Sequence, residues 1–75
     1  MEIGLNRLVP GACAVVTQID GDFGPRQRLQ ELGLVPGTMV TCRYRSPGGF
    51  VTALEFRGMV LALRTRDLRR IRVDY

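Results

Sequence analysis

The sequence predicts a mainly β fold, a small antiparallel barrel of about five short strands with one short α-helix. Three observations carry that prediction. Apolar residues alternate with polar ones in several short runs, and Gly and Pro turns separate the runs. A single stretch breaks the alternation with helical spacing: Arg26-Gln27-Arg28-Leu29-Gln30-Glu31-Leu32-Gly33-Leu34-Val35-Pro36-Gly37. Closure into a barrel follows because it removes strand edges that would otherwise stay open.

Leu5 to Val9 reads as one helical turn laid on the core, with Leu5 and Leu8 three apart. Pro10-Gly11 fits the centre of a type II turn, where glycine supplies the positive φ. A strand follows from Ala12 to Asp20, with Ala14 and Val16 inward. Ile19 has the other parity, so a bulge near Thr17-Gln18 is required to turn it inward. Asp20 to Pro25 is a loop, and Pro25 suits the first helical turn. In the helix, Leu29 and Leu32 form the buried stripe. Gly33 takes the left-handed position after the last turn, and Leu34 folds back onto the helix. Leu34-Val35-Pro36-Gly37 repeats Leu8-Val9-Pro10-Gly11, and both copies launch a strand.

The second strand spans Thr38 to Arg45, with Val40, Cys42 and Tyr44 on one face and Tyr44 expected inside. Ser46-Pro47-Gly48-Gly49 is a turn. Phe50 to Arg57 places Thr52, Leu54 and Phe56 together, and Arg57-Gly58 makes a tight hairpin to Met59–Arg64. Met59, Leu61 and Leu63 line the inner face. Thr65 caps a short turn over Arg66 to Leu68, and Arg70 to Tyr75 sends Ile71 and Val73 inward.

Residues 1–75 read as one domain. A chain of 75 residues buries only ~60% of the surface it exposes when unfolded, which favours a binding module over an enzyme with a deep cleft. The net charge is +4, and all 11 basic residues are arginine. They are scattered, which suits solvated strand faces better than a nucleic-acid footprint. Cys13 and Cys42 are not a C-x-x-C pair, and there is no histidine. Too few ligands exist for a tetrahedral zinc site in one chain, and no nucleophile has an adjacent base. No catalytic, cofactor-binding or metal-binding residues are assigned. Parity makes Cys13 the exposed thiol and Cys42 the core one. Met1 to Leu5 lacks the features of a signal peptide, and no run is long and apolar enough to insert into a bilayer. The expected location is the cytoplasm.

Leu8-x-x-Gly11, Ala14-x-Val16-x-x-Ile19, Arg26-x-Arg28-Leu29-x-x-Leu32-Gly33-Leu34-x-Pro36-Gly37, Pro47, Leu61-x-Leu63-Arg64 and Ile71-x-Val73 together form a pattern that resembles the FeoA family. Its structural motif comprises Gly11, Leu29, Leu32, Gly33, Leu34, Pro36 and Gly37. The resemblance implies an SH3-like barrel and a role beside a membrane ferrous iron transporter that carries a cytosolic GTP-binding domain. It also implies a likeness to the C-terminal domain of iron-dependent repressors. The family often has Gly-Asp-Pro after the central turn, whereas here Phe50 and Val51 follow Gly49.

On this reading the chain is an accessory, non-enzymatic protein of ferrous iron uptake. It binds the cytosolic part of the transporter and modulates it. The partner-binding candidates are Phe23, Arg26, Gln27, Gln30 and Phe50, on the helix and its flanking loops. Arg26 and Arg28 read first as exposed helix arginines paired with Glu31. The sharper role for one of them is to stabilise transition-state charge in a GTPase site. The alternatives are a basic barrel that binds nucleic acid and a stand-alone metal-linked domain of the repressor kind. The first is weakened by the shortage of aromatics for base stacking. A weak homo-oligomer is compatible with this surface.

Overall fold

The computed structural model describes residues 1–75. Six strands form one sheet: β1 (Glu2–Gly4), β2 (Cys13–Ile19), β3 (Met39–Arg45), β4 (Val51–Phe56), β5 (Met59–Arg64) and β6 (Ile71–Asp74). One helix, α1 (Arg26–Glu31), joins β2 to β3, and two 3₁₀ helices span Leu5–Arg7 and Thr65–Arg70. The order across the sheet is β1-β6-β2-β3-β4-β5, with every neighbouring pair antiparallel. β1 and β5 are the edges, and the two 3₁₀ helices pack against each other.

The strand that periodicity missed is β1. Three residues are too few to show alternation; β1 exists because Glu2, Ile3 and Gly4 pair with Asp74, Val73 and Arg72 of β6. The other strands match their predicted runs to within one residue.

The repeated Leu-Val-Pro-Gly segments occupy equivalent places in the sheet. Gly11 and Gly37 have φ of +92° and +96°, the conformation a type II turn requires. The Gly11 amide donates to the Cys42 carbonyl at 2.7 Å, and the Gly37 amide donates to the Val16 carbonyl at 2.7 Å. The return bonds, Cys42 to Ala12 and Val16 to Thr38, are both 2.9 Å. Between them, Cys13, Ala14 and Val15 pair with Thr41, Val40 and Met39. A local two-fold axis therefore relates the two turns and the β2–β3 ladder. Each turn seats a buried leucine, Leu8 or Leu34, under the sheet.

Both helix leucines were expected in the core. Only Leu29 is buried; Leu32 lies just past α1 and is half-buried. Leu34 takes the second place. Gly33 has φ of +103°, its amide bonds the Gln30 carbonyl at 3.0 Å, and the Leu34 amide bonds the Leu29 carbonyl at 2.9 Å. This Schellman closure turns the chain so that Leu34 folds under Leu29. Pro25 stands one residue before α1, and its carbonyl accepts the Leu29 amide at 2.9 Å.

Two bulges control which side chains enter the core. The β2–β6 register shifts between Val16 and Gln18, which brings Ile19 opposite Ile71 and packs it against the core as expected. A second shift lies between Cys42 and Tyr44 on β3. It reverses the parity beyond Cys42, so Tyr44 is exposed, not inside, and Arg45 turns toward the barrel. Arg45 donates from Nε to the buried Thr52 hydroxyl at 3.0 Å and from Nη2 to the Leu8 carbonyl at 3.0 Å. Thr65 is also corrected. Its hydroxyl makes no helix cap and instead shares a 2.8 Å bond with Thr52. No buried side-chain polar atom lacks a partner.

Candidate partner-docking site

The loop after β2 and the first turns of α1 enclose a shallow, solvent-open groove. Asp22, Phe23, Gly24, Arg26, Gln27 and Gln30 line it. Its construction follows from helix periodicity. Arg26, Gln27 and Gln30 share one face of α1, while Leu29 points the other way into the core. Because the Schellman closure anchors Leu29 and Leu34, the polar face of the helix is held facing outward.

Phe23 forms the apolar part of the groove. It is half-buried and packs against the core. Its carbonyl accepts the Arg26 amide at 3.0 Å, which fixes the turn leading into the helix. The Arg26 guanidinium donates to the Gly21 carbonyl, tying the loop to the helix. Gln27 donates to Glu31 at 3.3 Å. The expected pairing of Glu31 with Arg26 or Arg28 does not form: Glu31 takes Gln27, and Arg26 holds the loop. Arg28 is exposed.

Four of the five candidate residues, Phe23, Arg26, Gln27 and Gln30, therefore meet in one groove. Phe50 does not join them. It lines a separate groove of about 260 Å³ with Val51, Arg64 and Arg66. Asp22 and Gly24 belong to the first groove and were missed, because a turn signal describes backbone and says nothing of what the turn faces. The even scatter of arginines along the sequence gives no sign that Arg64 and Arg66 meet beside Phe50.

The helix groove offers an aromatic surface, two side-chain amides that can both donate and accept, and one charge of each sign. Such a set suits a protein surface better than a small polar substrate. No group of three or more Cys, Asp or Glu side chains converges anywhere. Cys13 is an exposed free thiol and Cys42 a buried one. No helix is long and apolar enough to cross a membrane.

A six-stranded antiparallel sheet curled on a small core defines a small SH3-like β module. The chain belongs to the FeoA domain family, whose model matches residues 3–75. FeoA protein from Chlorobium tepidum is 31% identical with a TM-score of 0.86, covering 95% of this chain and 68% of that one. FeoA of Stenotrophomonas maltophilia, a procaryotic SH3 domain protein solved with zinc, is 29% identical with a TM-score of 0.82, covering 99% and 89%. IdeR of T. acidophilum shares the fold alone, at 18% identity and a TM-score of 0.80, covering 96% of this chain and 33% of that one. No curated protein sequence matches the chain. The zinc belongs to the S. maltophilia protein.

Proposed function

We propose that this chain is an accessory protein of ferrous iron uptake. It docks through the groove beside α1 on the cytosolic, GTP-binding part of a membrane iron transporter and modulates it without catalysing a reaction itself. Family membership supplies the link to ferrous iron transport. The single observation that carries the docking mode is the convergence of Phe23, Arg26, Gln27 and Gln30 in one groove. Aromatic residues beside adaptable polar groups are what interface hot spots use. On this reading the chain works in the cytoplasm, facing the nucleotide-binding side of its partner.

The test is calorimetric binding of the chain to the purified cytosolic domain of the cognate transporter, with GTP turnover measured in parallel. Phe23→Ala and Gln27→Ala are expected to weaken binding, the first on the order of tenfold or more. Arg26→Ala is expected to weaken binding by loosening the loop, because its guanidinium already has a partner within the chain. A chain that neither binds nor alters turnover, or whose Phe23→Ala variant binds unchanged, overturns the reading.

A further inference from the structure

We infer that the free edge of β5 is a second recognition site, independent of the helix groove, which takes up an extended acidic segment of another protein as an added strand.

β5 has a neighbour on one side only. It pairs with β4 from Phe56↔Met59 to Val51↔Arg64. The Arg57-Gly58 turn has positive φ at both residues, +53° and +77°, the signature of a two-residue type I′ hairpin. Such a turn makes Phe56 and Met59 a hydrogen-bonded pair. The ladder to β4 then runs through Met59, Leu61 and Leu63. The Thr65 amide bonded to the Phe50 carbonyl at 2.9 Å continues the same register. The backbone groups of Val60, Ala62 and Arg64 therefore point away from the sheet.

Edge strands are normally protected by inward charges, proline or bulges. β5 has none of these over Met59-Val60-Leu61-Ala62-Leu63, and its pairing with β4 is unbroken. Val60 is 60% exposed, and Met59, Leu61 and Leu63 on the inner face are only half-buried. An added strand would satisfy the edge amides and extend the apolar row on that face. This is recognition by strand addition, with affinity from the main chain and selectivity from alternate side chains.

Charge decides the occupant. At its C-terminal end β5 opens into the groove of Phe50, Val51, Arg64 and Arg66. Phe50 is 78% exposed there. Arg64 is shared with Asp67 at 3.5 Å, and Arg66 has no acidic partner. A second copy fits poorly. Antiparallel self-pairing with Val60 opposite Ala62 sets Arg64 of each copy opposite Gly58 of the other, beside Arg57, between molecules that each carry +4. An antiparallel foreign strand with carboxylates near its N-terminal end meets Arg64 and Arg66 instead.

The probe is acetyl-Asp-Asp-Val-Thr-Val-Thr-amide, titrated into the 75-residue chain and followed by amide NMR and hydrogen exchange. The control peptide replaces both Asp residues with Lys. Binding is expected to slow exchange at the Val60 and Ala62 amides about tenfold while Leu61, already bonded to β4, changes little. The Lys peptide is expected to bind about tenfold more weakly, with the difference shrinking at high salt. Ala62→Pro removes an outward donor and should abolish the protection. Should that variant not fold, Arg64→Glu with Arg66→Glu reverses the preference between the peptides. Equal binding of both peptides overturns the inference. So does protection that appears with protein concentration alone, or shifts confined to Phe23 and Gln27, which would report the helix groove instead.

Discussion

The Thr38 hydroxyl donates to the Gly33 carbonyl at 2.8 Å and accepts the Val35 amide at 3.2 Å. One buried side chain thus joins the stop after α1 to the first residue before β3. It holds the turn that carries Leu34 into the core, and the outward setting of the polar face of α1 depends on that turn. Thr38→Val keeps the shape and removes both bonds, leaving the Val35 amide without a partner and the Gly33 carbonyl with only the 3.4 Å bond from Arg57 Nε. We expect a loss of about 1–2 kcal/mol in urea unfolding. Thr38→Ser should recover most of it.

The helix is held by unequal leucines. Leu29 and Leu34 are fully buried, while Leu32 is half-buried. Leu29→Ala and Leu34→Ala should each cost ~2–5 kcal/mol, and Leu32→Ala about 1 kcal/mol. A chain of this size has only roughly 4–11 kcal/mol in total. Thermal melts should therefore show a markedly lowered midpoint for the first two variants, about 4–8 °C per kcal/mol lost, and the third near the parent. Equal losses at Leu32 and Leu34 would mean that the Schellman closure does not set the packing.

Thr52 is fully buried and bonds both Arg45 and Thr65. Thr52→Val is nearly isosteric but strands Arg45 Nε and the Thr65 hydroxyl. The expected loss is about 1–3 kcal/mol. Thr52→Val combined with Thr65→Val should cost less than the sum of the single changes, because the two hydroxyls share one bond. A double-mutant cycle by denaturant unfolding measures that coupling.

The Met1 ammonium donates to Asp74 at 2.6 Å, and this bond, followed by the ammonium's charge, holds the Asp74 carboxyl below the usual carboxylate range. The Tyr75 backbone pulls the same way. A carboxyl whose pKa is lower folded than unfolded contributes stability above its unfolded pKa, about 3.9, and loses it as pH falls through the folded value. Carboxyl NMR titration should place Asp74 below the usual carboxylate range. Acetylating the N-terminus should return it to the ordinary range. The effect on stability should be small, because both groups sit in solvent.

Most of the fold was legible in the order of residues. The alternation in β4 and β6, the Arg57-Gly58 hairpin and the left-handed Gly33 each express a local preference that no distant contact has to create. The bulge at Thr17-Gln18 was legible too, since Ile19 has the wrong parity for an inward strand residue unless one residue is inserted. The matching bulge beyond Cys42 was not, because Tyr44 continues a faultless alternation and nothing nearby argues against it.

The site divides the same way. Helical spacing puts Arg26, Gln27 and Gln30 on one face whatever the rest of the chain does, and composition alone rules out a histidine-based site. The separation of Phe50 from that face, the exposure of Tyr44 and the inward turn of Arg45 depend on strands far apart in the chain meeting in one register. So does the open edge of β5, since a strand is an edge only by virtue of where its neighbours stop. Local rules act over a few residues, whereas register and edges arise from long-range pairing, and one inserted residue there reverses which side chains face the core.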